Sequence, residues 1–381
     1  MDANAPRGLL RAFAELEDPR MDRTKKHSLA DILTIAISAV ICGADGWVQV
    51  EEFGDCKEQW FRTFLDLPNG IPSHDTFGRL FAMLDPQAFE TCFMKWVAAL
   101  ATASQGRLVA IDGKAIRRSL DNANNKAAVH MVSAWCAANH MVLGQLAIDA
   151  KSNEITAIPK LLKLLDLDGA VVTIDAAGCQ KKIARTIVDQ GGDYVLQLKG
   201  NQGGLYDETV LLFDQCIRDD CQGIAYHTAA TTNGGHGRIE QRRIWSTGEV
   251  GWFAERSKWK HLRSLIRVEA QRTINGETSC ETRYYISSLP ADDPASLLAY
   301  IRGHWSVENN LHWCLDVSFA DDDRRIRTGH GAENFSRLSR IALNLLKAQT
   351  KHRVGIKTKR LCCGWSHDYL FRVLTQHDQG N

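Results

Sequence analysis

The sequence lacks the features that would mark a secreted, membrane or zinc-binding protein. Its 11 cysteines include no C-x-x-C pair, so neither a zinc ribbon nor a thioredoxin-like motif is expected. The N-terminal residues MDANAPRGLLRAF do not form the long apolar segment of a secretion signal. The early apolar stretch from Leu29 to Cys42 is short and interrupted by Asp31, so it predicts a buried helix. We therefore expect a cytoplasmic protein with no membrane partner.

The chain also lacks an excess of charge of either sign. With 46 Lys and Arg against 45 Asp and Glu, the net charge is +1, and only local clusters can indicate a nucleic-acid partner. Apolar residues make up 44% of the chain and charged residues 24%, which is ordinary for a globular protein. A length of 381 residues predicts two or three domains.

Residues 1–100 have apolar side chains at helical spacing. The segments LADILTIAISAVICGA, FRTFLDL and PSHDTFGRLFAML predict a small all-α N-terminal domain. Two helices joined by a short turn near Ile71 and Pro72 would be a DNA-reading element, with DNA-end binding as its function. A packed helical cap fits the same pattern equally well, and both interpretations remain open.

From Arg107 the pattern changes to strands that alternate with helices. LVAID, HMVSAWCA and MVLGQLAID predict three consecutive strands, followed by helix EITAIPKLLKLLDL, strand VVTID, helix QKKIARTIVDQ and strand YVLQLK. This is the order of an RNase H-like mixed sheet, although other α/β folds share pieces of it. We predict an α/β fold in which residues 107–202 form the first part of an RNase H-like catalytic domain.

The remaining sequence predicts three further segments. Residues 203–289 are rich in strand patterns with turn signals such as Asn275-Gly276, and predict a β-rich insertion. Residues 290–350 return to helix, beginning near Asp293-Pro294, and complete the catalytic domain. Residues 351–381 form a basic C-terminal tail, since KHRVGIKTKR holds five Lys or Arg and no acid. Such a run is usually a solvated surface, but beside a nuclease-like core it could contact phosphates.

Three carboxylates stand where a metal-dependent nuclease needs them. Asp112 and Asp175 each end an apolar run, and Glu308 lies in a helical pattern. Neighbouring strands would bring the two Asp together although 63 residues separate them (175 − 112). Three acidic side chains are a minimal set for holding two divalent cations, and such cations can drive phosphodiester chemistry without a covalent enzyme intermediate.

Each of these residues also has a less specific interpretation. An Asp at a strand end is often only a turn-former or a helix cap. His304, Glu308 and His312 are spaced i, i+4 and i+8 and could share a helix face as a zinc or iron site. They do not match H-E-x-x-H, so a structural role for the two His is favoured. Asp316 competes with Glu308 as the third carboxylate.

Seven ordered motifs resemble one known family. They are RLVAIDGKAIRRS, KSNEITAIPKLL, VVTIDAAGCQ, YVLQLKGNQ, HGRIEQR, YYISSL and HWSVENNLHWCLDVSFADDDRRIRTGHGAENFSRLSRIALNLL. Together they resemble the ISAs-type insertion-sequence transposases, which include the H-repeat-associated proteins and belong to the DDE transposase superfamily. The resemblance covers about residues 9 to 375, and the N-terminal segment looks like the domain that accompanies the DDE domain.

This resemblance implies a fold, an activity and a site. The implied fold is an RNase H-like catalytic core with a β-rich insertion. The implied enzyme is a Mg²⁺-dependent transposase (Mn²⁺ as a substitute) that cuts and joins element ends, with Asp112, Asp175 and Glu308 as catalytic residues and metal ligands. Its partners would be double-stranded DNA, both the terminal inverted repeats and the target, and a second copy of the chain on DNA. The location would be the bacterial cytoplasm, with the protein nucleoid-associated when bound.

Basic residues near these motifs are candidates for phosphate contacts. The candidates are Lys114, Lys199, Arg238, Arg302, His304, Arg324, Arg325 and Arg327, with Arg337 and Arg340 further along. A related transposase group places Tyr, Arg and Lys around its Glu, in a Y-x2-R-x3-E-x6-K pattern. Here those offsets fall on Ile301, His304 and Leu315, so Arg302 or the downstream Arg cluster would have to substitute.

Three other functions remain open from the sequence. A host-retained RNase H-like nuclease would use the same carboxylates without joining DNA. A catalytically silent DNA-binding protein would show no cleavage with Mg²⁺ or Mn²⁺. A metallohydrolase built on His304 and His312 would bind Zn²⁺. The retained carboxylates argue against the second function, and the absence of a third zinc ligand at a known spacing argues against the third.

Overall fold

The computed structural model describes residues 7–100, 108–120, 127–148, 153–219, 222–235 and 237–375. The strands are β1 Leu108–Ile116, β2 Val129–Cys136, β3 Met141–Ile148, β4 Val171–Ile174, β5 Asp193–Leu198, β6 His227–Gly235, β7 Arg238–Thr247, β8 Ser264–Ile274 and β9 Glu277–Ser287. The helices are α1 Arg7–Ala12, α2 Leu29–Cys42, α3 Trp47–Cys56, α4 Glu58–Phe61, α5 His74–Met83, α6 Pro86–Leu100, α7 Glu154–Leu162, α8 Lys181–Asp189, α9 Gly204–Arg218, α10 Pro294–His304, α11 Trp313–Phe319, α12 Gly331–Ala348, α13 Ile356–Trp365 and α14 His367–Thr375.

The chain folds into two compact units whose sequences interleave. The first unit lies within Met1–Ser104, Gly113–Lys151 and Glu308–Asn381, and the second lies within Gln105–Asp112 and Ser152–Val307. The strand β1 passes from the second unit to the first between Asp112 and Gly113. These divisions fall at other positions than the predicted domain boundaries, because the N-terminal helices share a unit with the C-terminal ones.

The second unit contains most of a mixed sheet of nine strands. Its first part is parallel, with β4 between β1 and β5. The strand β9 then pairs antiparallel with β5, and β8, β7 and β6 follow in antiparallel order. The strands predicted by LVAID, VVTID and YVLQLK are confirmed, as are the helices α7 and α8 between them.

The β-rich insertion differs from its prediction in two ways. It begins with the helix α9, which was not predicted, because the segment was interpreted from the strand patterns that follow this helix. Its last strand pairs with β5 through Val195↔Ser287 and Leu198↔Tyr284, so the insertion extends the main sheet. The sequence did not predict this pairing, because sequence pattern indicates strands but not which edge of a sheet they join.

The helix α10 packs its apolar face across this sheet. Asp293 caps its N-terminus by accepting a hydrogen bond from the Ser296 amide at 3.0 Å, and Pro294 takes the first helical position as predicted. The buried cluster below the helix consists of Val171, Val195, Ile244, Ile266, Val268, Tyr285, Leu297, Leu298 and Ile301. Each large apolar side chain buried there stabilises the fold by roughly 1.5–3 kcal/mol, which fixes the C-terminal end of α10 over β4.

The first unit is mainly helical, and α2 lies at its centre. Ser28 caps α2 by accepting a hydrogen bond from the Asp31 amide at 3.0 Å, and Gly43 ends it with a φ of 126°. The helix packs against α3, α12 and α13. The strands β2 and β3 were predicted, and they form an antiparallel pair that belongs to this unit.

The N-terminal segment is helical as predicted, but the helix–turn–helix interpretation is wrong. No helix is present in residues 62–73, which separate α4 from α5. The apolar face of α5 is buried, with Trp47 stacked on Phe81 at 4.8 Å and in edge contact with Phe335 at 4.9 Å. These contacts show that the apolar face of α5 packs inside the unit, and DNA-end binding by the N-terminal domain stays a prediction.

The basic C-terminal segment is folded rather than an extended tail. It contains α13 and α14, and Lys359 and Arg360 are buried. The Lys359 ammonium donates to the carbonyl oxygens of Leu346 at 3.0 Å and Gln349 at 2.5 Å, at the end of α12. The Arg360 guanidinium donates to the Val40 carbonyl at 2.8 Å. These two cations satisfy the unpaired carbonyls of helix ends and cannot reach phosphates.

Within the ranges that the structure describes, no single helix is long and apolar enough to cross a membrane. Leu29–Cys42 and Trp47–Cys56 meet that criterion only as a pair, which is bent by 97°.

Candidate active site

The register of β1 and β4 places Asp112 and Asp175 side by side. Leu108 pairs with Val171 and Ile111 pairs with Ile174, so the next residues of the two parallel strands are Asp112 and Asp175. Adjacent strands lie roughly 4.8 Å apart, so the backbone brings Asp112 and Asp175 to neighbouring positions at the point where the pairing of the two strands ends. One detail corrects the sequence prediction: β1 does not end at Asp112 but continues to Ile116. The change from apolar to polar residues at Asp112 marks the point where β1 stops pairing with β4, and not the end of β1.

Asp175 also organises the turn that follows β4. Its Oδ1 accepts hydrogen bonds from the backbone amides of Ala177 at 3.1 Å and Gly178 at 3.3 Å. A Cβ at Gly178 would come within 2.2 Å of Ile174, so the turn folds back tightly on its own strand. The turn-forming role and the functional role of Asp175 are thus compatible, since the bonds to two amides fix the direction of the carboxylate.

His304 ends α10 and lies over the same strand. Its Nδ1 is 3.1 Å from the hydroxyl of Thr173, two residues before Asp175 and on the same face of β4. Burial lowers the pKa of His304 to about 4, and the negative charge of Asp175 opposes this shift only in part. The imidazole is therefore neutral at pH 7. The prediction that His304 contacts DNA is corrected, because its ring is engaged with Thr173 in the protein.

Sequence reasoning missed the other residues around this imidazole. Together with His304, they line a small recess: Thr173, Ile174, Val195, Gln197, Tyr285, Ile301 and Trp305. The guanidinium of Arg283 lies 4.6 Å from the centre of the Trp305 ring. Thr173 could have been found from the two-residue period of VVTID, which puts it on the face of Asp175; Gln197, Tyr285 and Arg283 carry no such signal.

Glu308 is exposed and begins the C-terminal segment of the first unit. It is the first residue of a π-helix, Glu308–His312, between α10 and α11. A π-helix inserts an extra residue into a turn and is frequent at functional sites. The prediction of one continuous α-helical face for His304, Glu308 and His312 was therefore wrong, because the wider turn changes the direction of His312.

Asp112 and Asp175 thus directly follow the last paired residues of β1 and β4, whereas Glu308 belongs to the other unit. Within the described part of the chain, no group of three or more His, Cys, Asp or Glu side chains is arranged to hold a metal ion. The metallohydrolase hypothesis based on His304 and His312 therefore has no support from geometry. Two carboxylates in register do fit Mg²⁺, which is held by one or two carboxylates and completes its coordination with water and substrate phosphate.

Four of the predicted DNA contacts are engaged inside the protein. Lys114 is 9% exposed, and its ammonium lies 2.5 Å from Asp316 and 3.3 Å from Asp322. Arg324 is buried and donates to Asp321 at 2.7 Å. Arg337 and Arg340 are also buried. These four predictions are corrected, because a buried cation paired within the fold cannot contact a phosphate.

The other predicted contacts are exposed. Lys199, Arg302, Arg325 and Arg327 lie on the surface, and Arg238 is half exposed with its guanidinium 3.3 Å from Glu240. Ile301 and Leu315 occupy the positions where the related transposase group has Tyr and Lys, and both are buried. Packing accounts for these two departures, since a Lys at the position of Leu315 would be buried without a partner.

Family models match most of the chain. The model described as "Transposase DDE domain" matches residues 103–345, and the model described as "DDE_Tnp_1-associated" matches residues 10–97. The first match includes Asp112, Asp175 and Glu308, and the second covers the N-terminal helices.

Several bacterial proteins are similar over nearly their whole length. "Putative transposase YncI" of Escherichia coli O157:H7 is 40% identical over 370 residues, covering 96% of this chain and 94% of that protein. "H repeat-associated putative transposase YhhI" of Escherichia coli K12 is 38% identical over 376 residues, covering 96% and 97%. "Uncharacterized protein in dhlA 3'region" of Xanthobacter autotrophicus is 46% identical over 282 residues, covering 74% and 94%.

A solved structure titled as a piggyBac transposase synaptic complex with hairpin DNA aligns with a TM-score of 0.43 at 10% identity, covering 98% of this chain and 78% of that one. At that score the likeness does not establish a shared fold.

The matches along the chain define the class: the protein is a DDE-type transposase. The resemblance seen in the sequence motifs is thereby confirmed. More specifically, the chain belongs to the family that joins the DDE_Tnp_1 transposase domain to its associated N-terminal domain, together with the H-repeat-associated proteins.

Proposed function

We propose that the protein cuts and joins DNA at the ends of an insertion sequence, with Asp112, Asp175 and Glu308 as its catalytic carboxylates and the ligands of Mg²⁺, for which Mn²⁺ can substitute. The observation that supports this proposal is the register of β1 and β4, whose last pair, Ile111 and Ile174, comes directly before Asp112 and Asp175. Glu308 is included because its motif has the order and sequence of the family's third acidic motif, and because it is exposed on a π-helix.

We also propose an RNase H-like core, since β1, β4 and β5 are parallel, β2 and β3 are antiparallel, and helices follow β3 and β4. The proposed partners are the terminal inverted repeats, target DNA and a second copy of the chain, because joining two ends requires both to be held. The place of action is the bacterial cytoplasm, at the nucleoid.

The residues of the second unit prepare a site for a cation. Two backbone amides hold the Asp175 carboxylate in one orientation. His304 is neutral, so it adds no positive charge that would compete with a cation beside Asp175. When bound, a divalent metal supplies Lewis-acid stabilisation of the charge that develops at the scissile phosphate. We assign contacts with the DNA backbone to Lys199, Arg302, Arg325 and Arg327, because these cations are exposed.

The direct test uses purified protein and a duplex that carries the DNA flanking this gene. We expect strand cleavage with Mg²⁺ or Mn²⁺, and joined products when pre-cut ends are supplied. Asp112→Asn should abolish cleavage and leave DNA binding intact, because the change removes a ligand charge but little volume. Asp292→Asn removes an exposed carboxylate of the same unit and is the matched control.

Each outcome of this test has a distinct meaning. Cleavage that survives Asp112→Asn would remove Asp112 from the site. Cleavage without joining would favour the host-retained nuclease. Binding without cleavage by the unaltered protein, with either metal, would favour the silent DNA-binding protein.

A further inference from the structure

A cluster of opposite charges fixes the second half of β1 in the first unit. The Lys114 ammonium lies between the carboxylates of Asp316 and Asp322, at 2.5 Å and 3.3 Å. The backbone amide of Arg117 also donates to Asp322 at 3.3 Å, and its Nε lies 3.4 Å from the same carboxylate. We name these four residues, Lys114, Asp316, Asp322 and Arg117, the Lys114 clamp.

The clamp joins two segments that lead directly to proposed catalytic residues. Lys114 is two residues after Asp112 in the same strand. Asp316 is eight residues after Glu308 (316 − 308), in α11, which continues from the π-helix without a loop. The strand that carries the first carboxylate and the helical segment that carries the third are therefore tied by one cation.

Because Lys114 is the least exposed of these charged side chains, it depends most on its partners. Its side chain is 9% exposed, whereas those of Asp316 and Asp322 are 37% and 24% exposed. The carboxylates could be hydrated without the lysine, but a buried ammonium requires its partners. The contact of Lys114 with Asp316 therefore holds α11 at a fixed distance from β1.

We propose that Lys114 is a positioning residue of the transposase, acting through Asp316 and Asp322 to fix the π-helix and Glu308 against β1. This inference rests on the proposed role of Glu308. It replaces the sequence-based expectation that Lys114 contacts DNA. A catalytic carboxylate misplaced by an ångström can cost about 100-fold in rate, so a clamp one helix away from Glu308 has a measurable effect.

The test compares removal of the charge with its exchange. Lys114→Met removes the cation, and the double change Lys114→Asp with Asp316→Lys exchanges the two charges. Lys181→Met is the matched control, because Lys181 has a similar ion pair, 2.6 Å from Glu255, away from β1. If Lys114→Met does not fold, Asp316→Asn weakens the same contact from its more exposed side.

Two measurements are made on the full-length protein. For cleavage of the flanking-DNA duplex, we expect Lys114→Met to lower kcat by about tenfold or more while KM for DNA stays within about twofold, the pattern of lost positioning. For amide hydrogen exchange without metal or DNA, we expect faster exchange in residues 308–319. The double variant should recover both properties in part, and Lys181→Met should change neither.

The result that overturns the inference is a double variant as slow as Lys114→Met, with exchange in residues 308–319 unchanged in both. A raised KM for DNA with unchanged kcat would also overturn it and would make Lys114 a phosphate contact. If the unaltered protein does not cleave DNA, the proposed function fails, whereas the exchange measurement still decides whether the clamp fixes the π-helix.

Discussion

At the scale of single residues, His304 occupies a recess lined by apolar side chains, among them Ile174, Val195 and Tyr285. Water is scarce there, so the charged imidazolium is disfavoured, and the pKa of His304 falls to about 4. The sequence HWSVEN cannot show this lowered pKa, because it does not show whether the histidine faces solvent or the sheet. The neutral ring adds no positive charge beside Asp175.

The pKa of His304 predicts how stability changes with pH. The unfolded chain binds this proton near pH 6.5, whereas the folded protein binds it only near pH 4. The unfolded state therefore gains protons first, and the free energy of unfolding should fall as pH drops from about 6.5 to about 4, by up to about 3 kcal/mol. Urea titrations in EDTA should show this fall, and His304→Gln should reduce it. An unchanged fall in the variant would assign it to other groups.

At the scale of secondary-structure elements, the sequence predicted those strands and helices that the spacing of apolar residues indicates. The five strands from LVAID to YVLQLK and the helices between them follow from apolar patterns, and Asp293-Pro294 marks the start of α10. Periodicity does not encode a single inserted residue, so the π-helix at Glu308 was missed. It also does not encode pairing partners, which is why the contact between β9 and β5 was missed. The neighbouring positions of Asp112 and Asp175 were predictable because each residue follows a run of buried, mostly apolar residues.

The entry into α12 depends on one glycine. Gly329 has a φ of 52°, and a Cβ there would lie 2.4 Å from the Ala82 carbonyl oxygen. Gly329→Ala should therefore destabilise the protein by about 2 kcal/mol, through backbone strain and displacement of α5. Gly355→Ala is the control, since a Cβ at Gly355 meets nothing within 4 Å. Thermal unfolding of both variants measures the difference, and equal stability would show that the loop can move away from Ala82.

At the scale of the whole molecule, charged residues divide into those that hold the fold and those that face solvent. Arg337 is buried and its Nε donates to Glu90 at 2.8 Å, whereas Arg325 and Arg327 are exposed. All three belong to one basic stretch of sequence. The sequence could not show which of these arginines are buried. Their burial depends on which side of the C-terminal segments packs on the other helices of the unit.

We therefore expect the exposed arginines to affect DNA binding and the buried arginine to affect stability. Replacing Arg325 and Arg327 together by Ala should weaken DNA binding uniformly across sequences and reduce the slope of log K against log salt by about 2. Arg337→Met should leave that slope unchanged and lower the free energy of unfolding by about 3 kcal/mol or more, because Glu90 would lose its buried partner. Fluorescence anisotropy at several salt concentrations and urea unfolding measure the two effects. An unchanged slope in the double variant would place the DNA elsewhere.

The interleaving of the two units has a consequence for biosynthesis. The helix α2 is almost entirely buried, and it packs on α12 and α13, which leave the ribosome some three hundred residues after it. A nascent chain must keep those apolar side chains shielded by chaperones or transient contacts until translation is almost complete. A gene copy that stops before α12 would thus yield a polypeptide whose α2 lacks the cover of α12 and α13, and its exposed apolar side chains would favour degradation.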